Sequence, residues 1–215
     1  MNSGKIPGWM RREAFTLIEL LCVIAVIGVL AAILMPVLKG VTARSRQVQC
    51  TGNLKQIGAA ILLYTNDNNG QLPGPQFQKI YLTNTLPLAL DPYTGQTNPT
   101  DRAKLWTCPA NAGIKKAQKA QTPMISSYMA HNNVFGYPAQ PGSAAVAPYS
   151  LTTMAWRFPT PDQRWMLEDI DSWNYPGSDT AIGGPTTPVH SGSRNVLYAD
   201  GRVSAVFIAD STVSP

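Results

Sequence analysis

The sequence predicts an α+β protein. A long N-terminal α-helix, apolar in its first half and amphipathic in its second, packs against a head with a small antiparallel β-sheet. Three observations lead there. Phe15 to Leu38 is apolar apart from Thr16 and Glu19. Apolar residues then recur at helical spacing as far as Tyr64. Near the C-terminus two strand-like runs, Asn195 to Ala199 and Arg202 to Phe207, flank Asp200-Gly201.

The 215 residues hold a membrane segment and one domain large enough to bury a core. With 18 Pro, 17 Gly and 13% charged residues, the head is read as loops and short strands, not a helical bundle. The net charge is +5, and its location decides what it means. Lys5, Arg11, Arg12, Lys39, Arg44, Arg46 and Lys55 set against Glu13 and Glu19 account for all of it, so the chain from Asp67 onward is balanced. A basic segment beside an apolar span meets lipid head groups or water, which argues against nucleic acid as a partner.

Met1 to Ala14 is polar and ends in Arg11-Arg12-Glu13-Ala14, and is read as a leader. An ordinary secretory signal is cut beyond its apolar region. Here the candidate processing site, Ala14-Phe15, precedes it, so cutting leaves the apolar stretch on the mature chain. That stretch, residues 15–38, makes about 36 Å of helix at about 1.5 Å per residue, enough for a bilayer core of about 30 Å. From Leu20 to Leu34 it has no polar face to turn to water. Lys/Arg counts on its two sides are equal, so charge does not orient it.

Glu19 stands one helical turn from Phe15. A carboxylate in an apolar span needs a partner or a route to water. The amine of a chain beginning at Phe15 would lie at its depth, on a neighbouring copy. The plainer reading is a carboxylate snorkelling to the head groups.

The run Ala-Phe-Thr-Leu-Ile-Glu-Leu-Leu-Cys-Val-Ile-Ala-Val-Ile-Gly, residues 14–28, resembles the N-terminal cleavage and methylation motif of type IV prepilins and type II secretion pseudopilins. The resemblance implies cutting by a prepilin peptidase between Ala14 and Phe15, methylation of the Phe15 amine, and Glu19 as the assembly carboxylate. It also implies an inner-membrane assembly platform and other pilin or pseudopilin subunits as partners. The N-terminus would be cytoplasmic and the head periplasmic or extracellular. Ala14 departs from the glycine usual at that place in the family.

Pro36 predicts a kink. Beyond it Val41, Val48, Leu54, Ile57, Ile61 and Tyr64 form an apolar stripe on a stem, residues 39–66, weakened locally by Gly52 and Gly58. Asn66-Asp67-Asn68-Asn69-Gly70 ends the helix. The head occupies 67–215. In it, Gln78 to Leu90 is read as a short helix, and Lys115, Lys116 and Lys119 as a solvated basic turn. Ser126 to Tyr137 reads as strand and turn, with His131 structural or on the surface. Arg164 to Ile170 reads as a strand.

Asp200-Gly201 marks a tight hairpin with both residues at positive φ. His190 precedes Asp200 by ten positions, and His, nine residues, Asp-Gly resembles the C-terminal motif of a large family of pilin-like proteins of undefined role. CTGNLKQIGAAILLY (50–64) and WTCPAN (106–111) resemble that family's stem and second cysteine. The resemblance makes His190, Asp200 and Gly201 motif residues without assigning them chemistry. Of the three cysteines, Cys22 lies in the apolar span, and Cys50 and Cys108 are either a disulfide of an exported head or two separate thiols.

Two kinds of site are weighed. Glu168, Asp169, Asp171 and Asp200 form a candidate calcium set, although no loop has the spacing of a calcium motif. Against it, Asp200 serves the turn and His190 bonds to nearby backbone, with no cofactor. An enzyme would use His190 and Asp200 as an acid/base pair with Ser191 or Ser193 as nucleophile. No G-x-S-x-G elbow, phosphate-binding loop or zinc spacing supports it, so the chain is read as non-enzymatic. The expected function is that of a structural subunit of a type IV pilus or type II secretion pseudopilus. The alternative is a membrane-anchored surface protein that does not polymerise, with a head that binds glycan, DNA or metal.

Overall fold

A computed structural model describes residues 16–208, apart from 77, 84, 97, 112, 115–124, 142, 172, 173, 175–184 and 191. Ala14, Phe15, the Lys115–Lys119 turn and Ser191 lie outside the described residues. The chain divides into two compact units, Met1–Thr42 and Ala43–Pro215.

Helix α1, Leu17–Asp67, crosses that division and continues through Pro36. In the first unit it is bare. Leu17, Ile24, Leu30, Ile33 and Leu38 are all more than half exposed. This apolar portion is long enough to cross a membrane, as its composition predicts.

In the second unit one stripe of α1 is buried: Cys50, Leu54, Ile57, Gly58, Ala60, Ile61 and Thr65. The stripe predicted from the sequence begins too early. Val41 and Val48 are exposed, and the buried stripe starts at Cys50. The helix ends where Asn and Gly predict. Asn69 and Gly70 take positive φ, and the Gly70 amide donates to the Thr65 carbonyl at 2.8 Å.

The stripe packs on an antiparallel sheet of five strands in chain order: β1 (Lys79–Tyr81), β2 (Ile125–Ala130), β3 (Trp165–Asp169), β4 (Ser193–Tyr198) and β5 (Val203–Phe207). Tyr128 pairs with Asp169, Ala130 with Leu167, and Leu167 with Leu197. Side chains alternate across a strand. Tyr128, Ala130, Leu167 and Leu197 therefore share the face that joins Leu54, Ile57 and Ile61 in one core. The opposite face has its own smaller cluster of Ile114, Met129 and Ile170.

Between β1 and β2 come α2 (Thr85–Thr94) and α3 (Pro99–Leu105). The short helix expected over Gln78–Leu90 thus divides into a strand and a later helix. The Arg102 guanidinium grips the Asp91 carboxylate, with Nε to Oδ1 at 2.9 Å, and donates to the Leu82 carbonyl at 3.2 Å, joining α2 to α3. At the start of α3, Asn98 caps the Asp101 amide at 2.9 Å and Pro99 takes the first helical position. A one-turn helix, Asn132–Phe135, and a second helix, Leu151–Arg157, fill the connection from β2 to β3.

The β4–β5 hairpin is real, but its turn differs from the two-residue form. Gly201 is at φ +80°, while Asp200 is not at positive φ. The Gly201 amide donates to Tyr198 O, and the Tyr198 amide to Arg202 O, both at 2.9 Å. This is a three-residue loop with glycine alone left-handed. The Asp200 side chain holds it by accepting the Arg202 amide at 2.9 Å.

The two stem glycines have different roles. A Cβ on Gly52 would meet nothing within 4 Å, whereas one on Gly58 would lie 2.7 Å from Leu197 Cδ1. We expect Gly52→Ala to stabilise the head by about 0.5–1 kcal/mol through helix propensity. Gly58→Leu should destabilise it by about 1–3 kcal/mol through overpacking. Denaturant titration of both variants checks the contrast.

Candidate functional site

Two places carry the sequence-predicted site residues. The first is the start of α1. Thr16 and Glu19 form a reciprocal cap: the Thr16 amide and hydroxyl donate to Glu19 Oε2 at 2.9 and 2.7 Å, and the Glu19 amide donates to Thr16 Oγ1 at 3.3 Å. The pattern Thr-x-x-Glu before an apolar run is the sequence sign of such a box. A carboxylate in the first turn also faces the positive end of the helix dipole. Glu19 is therefore a helix-starting residue as well as the lone carboxylate of the span. The sequence reading saw only the second property.

The second place is the buried junction of stem and head. Cys50 on α1 is bonded to Cys108, three residues beyond α3, with Cα atoms 4.8 Å apart. Of the two readings left open by the sequence, the structure contains the disulfide. Three hydrogen bonds reinforce it. Asn53 Nδ2 donates to the carbonyls of Lys104 and Thr107 at 3.2 Å each. The Tyr128 hydroxyl donates to Cys50 O at 3.4 Å. Burial, with the Asp169 charge added, holds the Tyr128 phenol well above its ordinary pKa.

His190 closes this junction. It sits in a tight turn just before β4. The Ser193 amide and hydroxyl donate to His190 O at 3.1 and 2.8 Å, and Gly192 supplies the left-handed residue at φ +89°. The turn aims the imidazole inward, where its side chain is 2% exposed. His190 Nε2 lies 3.5 Å from Cys108 Sγ and 3.3 Å from Asp169 Oδ2. The same Asp169 oxygen accepts the Asn195 amide at 2.7 Å, while its other oxygen is buried with no partner among the described residues.

These contacts bear on two arrangements weighed from the sequence, the acid/base pair that was set aside and the candidate calcium set. His190 and Asp200 do not form a pair. β4 separates them, and six residues at about 3.3 Å each span roughly 20 Å. The carboxylate beside His190 is Asp169. Asp200 stays at the hairpin, with Arg202 Nε 3.7 Å from its Oδ2. The carboxylate set proposed for calcium is not assembled either. Asp171 is held by the Arg194 guanidinium at 2.6 and 2.9 Å. Glu168 and Asp169 are consecutive in β3 and so point to opposite faces. His131 is structural, as expected, with its ring 4.3 Å from Trp165 and its pKa lowered by burial.

Comparison with known proteins bears on the N-terminus alone. Residues 9–35 match the family model described as the prokaryotic N-terminal methylation motif. The chain carries a prepilin-type cleavage and methylation motif. That motif heads a single apolar helix suited to anchoring in a membrane, and the whole is a pilin-like α+β architecture. No curated protein and no solved structure matches the chain.

The buried carboxyl of Glu168 has a measurable consequence. Burial lifts its pKa from 4.5 to about 7, against the opposing pull of Arg194. The fold therefore holds a proton that the unfolded chain has released. Stability from this group is complete below about pH 4.5 and is lost as pH rises through about 7, a change of up to roughly 3 kcal/mol. Glu168→Gln should lack that loss. Its stability relative to the unsubstituted protein, from denaturant titrations at pH 5 and pH 8, should improve by about 2–3 kcal/mol at the higher pH. An equal pH dependence would show that Glu168 is ionised in the fold.

Proposed function

We propose that the chain is a prepilin-like subunit, cut by a prepilin peptidase between Ala14 and Phe15 and methylated on the Phe15 amine. It then assembles through α1 into a type IV pilus or a type II secretion pseudopilus. One observation carries this reading: the methylation motif at 9–35 leads directly into an apolar helix whose first half lies exposed among the described residues.

The physics of assembly follows from that bare helix. In the bilayer, lipid covers Leu17 to Leu38. In a filament, the same surface is covered by the helices of neighbouring subunits. Both surroundings are apolar, so close packing and polar pairing decide the transfer rather than the hydrophobic effect. Glu19 is the only charged residue from Leu17 to Leu38. A neighbour's Phe15 amine neutralises it when the helix leaves the head groups. The head stays on the far side of the membrane from the cytoplasm. The Cys50–Cys108 bond supports that placement, because such bonds persist in oxidising compartments. The role is mechanical.

The test is Edman sequencing and mass spectrometry of the protein isolated from membranes of a host with a working prepilin peptidase. The expected N-terminus is N-methylphenylalanine at Phe15. A chain that still begins at Met1 would overturn the proposal.

A further inference from the structure

The buried group at the stem–head junction is more than a staple. Ligand atoms of Cys50, Cys108 and His190 all lie within 4.8 Å of one another, and all three residues are buried. Asp169 lies beside His190 and outside that group, with Oδ2 3.3 Å from His190 Nε2 and its other oxygen buried without a partner among the described residues. An unpaired carboxylate oxygen in a dry site is costly unless something neutralises it. The imidazole and the Asn195 amide reach Oδ2, and among the described residues nothing bonds to the other oxygen.

We propose that, with Cys50 and Cys108 reduced to thiols, the head binds one zinc ion through Cys50 Sγ, Cys108 Sγ, His190 Nε2 and an Asp169 carboxylate oxygen. The inference does not depend on filament assembly.

The donor set selects the metal. Two thiolates, an imidazole and one carboxylate suit a four-coordinate zinc site, whereas calcium wants six to eight oxygens. The two edges that meet at His190 agree as they stand, while the bonded sulfurs must part to about 3.8 Å around a tetrahedral zinc. For bonds of about 2.3 Å to sulfur and about 2.0–2.1 Å to nitrogen and oxygen, tetrahedral angles set edges of about 3.5 Å for N···S and about 3.3 Å for N···O. The separations here are 3.5 Å from His190 Nε2 to Cys108 Sγ and 3.3 Å from His190 Nε2 to Asp169 Oδ2. The Asn195 amide on Asp169 Oδ2 is the outer hydrogen bond that orients a ligating carboxylate. No contiguous motif marks this site. Its four residues come from α1, the segment after α3, β3 and the turn before β4.

Zinc binding displaces one proton from each thiol. When the bond forms, the two thiolates give up two electrons to an oxidising disulfide, which takes up two protons and becomes a dithiol. The new S–S bond leaves no thiolate for the metal, and zinc is released. Zinc thus holds Cys50 against Cys108 before oxidation and leaves once the covalent staple replaces it.

The test uses the full chain in detergent, with Cys22→Ser to remove the third thiol. The protein is unfolded, reduced with a phosphine, and refolded without oxygen in the presence of zinc or cobalt(II). We expect one metal per chain by elemental analysis. The cobalt form should show a tetrahedral visible spectrum and a sulfur-to-cobalt charge-transfer band. His190→Ala and Asp169→Asn should each weaken zinc at least tenfold in competition with a chromophoric chelator. The oxidised protein should bind none. Circular dichroism of each oxidised variant establishes that it folds, and either variant suffices if the other does not. A reduced chain that retains no metal, a six-coordinate cobalt spectrum, or undiminished affinity in a folded variant would overturn the proposal.

Discussion

The contact between the second half of α1 and the inner face of the sheet sets what every other part of the molecule can do. From Cys50 onward the helix buries one stripe against Tyr128, Ala130, Leu167 and Leu197. Gly58 lets the backbone come close to Leu197, and the Cys50–Cys108 bond ties the first buried turn of the stripe to the segment after α3. The disulfide closes a loop between residues 58 apart, and that loop contains α2 and α3. Such a bond stabilises the fold by restricting the unfolded chain. The helical and strand parts of the head are thereby held on one rod.

The two halves of α1 obey different rules although they form one helix. Residues on the first half are apolar all round and exposed among the described residues. Residues on the second half are apolar on one stripe and bring Arg44, Arg46 and Lys55 to other faces. A helix apolar on every side needs a solvent that is itself apolar, or other helices. The Thr16–Glu19 cap settles the local backbone account at the start of this rod, leaving Glu19 with a neighbour before any partner chain arrives.

What the sequence disclosed follows from how local each signal was. The long helix, its Asn-Gly end and the β4–β5 hairpin rest on periodicity and turn chemistry within a few residues, and they are found where those signals lie. The onset of burial at Cys50, not Val41, depends on where the head meets the rod, which no window of helix residues encodes. The hairpin turn type was misjudged because Asp-Gly serves both two- and three-residue loops, and Asp200 chooses by bonding the Arg202 amide. The spacing of His190 and Asp200 marked a motif and carried no contact, whereas antiparallel pairing of β3 with β4 brings Asp169 to His190. Long-range pairing of that kind leaves no mark in neighbouring residues. The cap at Thr16 and Glu19 was readable and lay beneath a more familiar pattern.

The central claim is that the bare half of α1 is an assembly surface and that Glu19 governs its transfer out of the lipid. Filaments sheared from cells expressing either the unsubstituted chain or Glu19→Ala, probed for the head alongside the membrane fraction, test it most directly. The account predicts that the variant accumulates in the membrane and is missing from the filaments. Equal incorporation of the variant would contradict it.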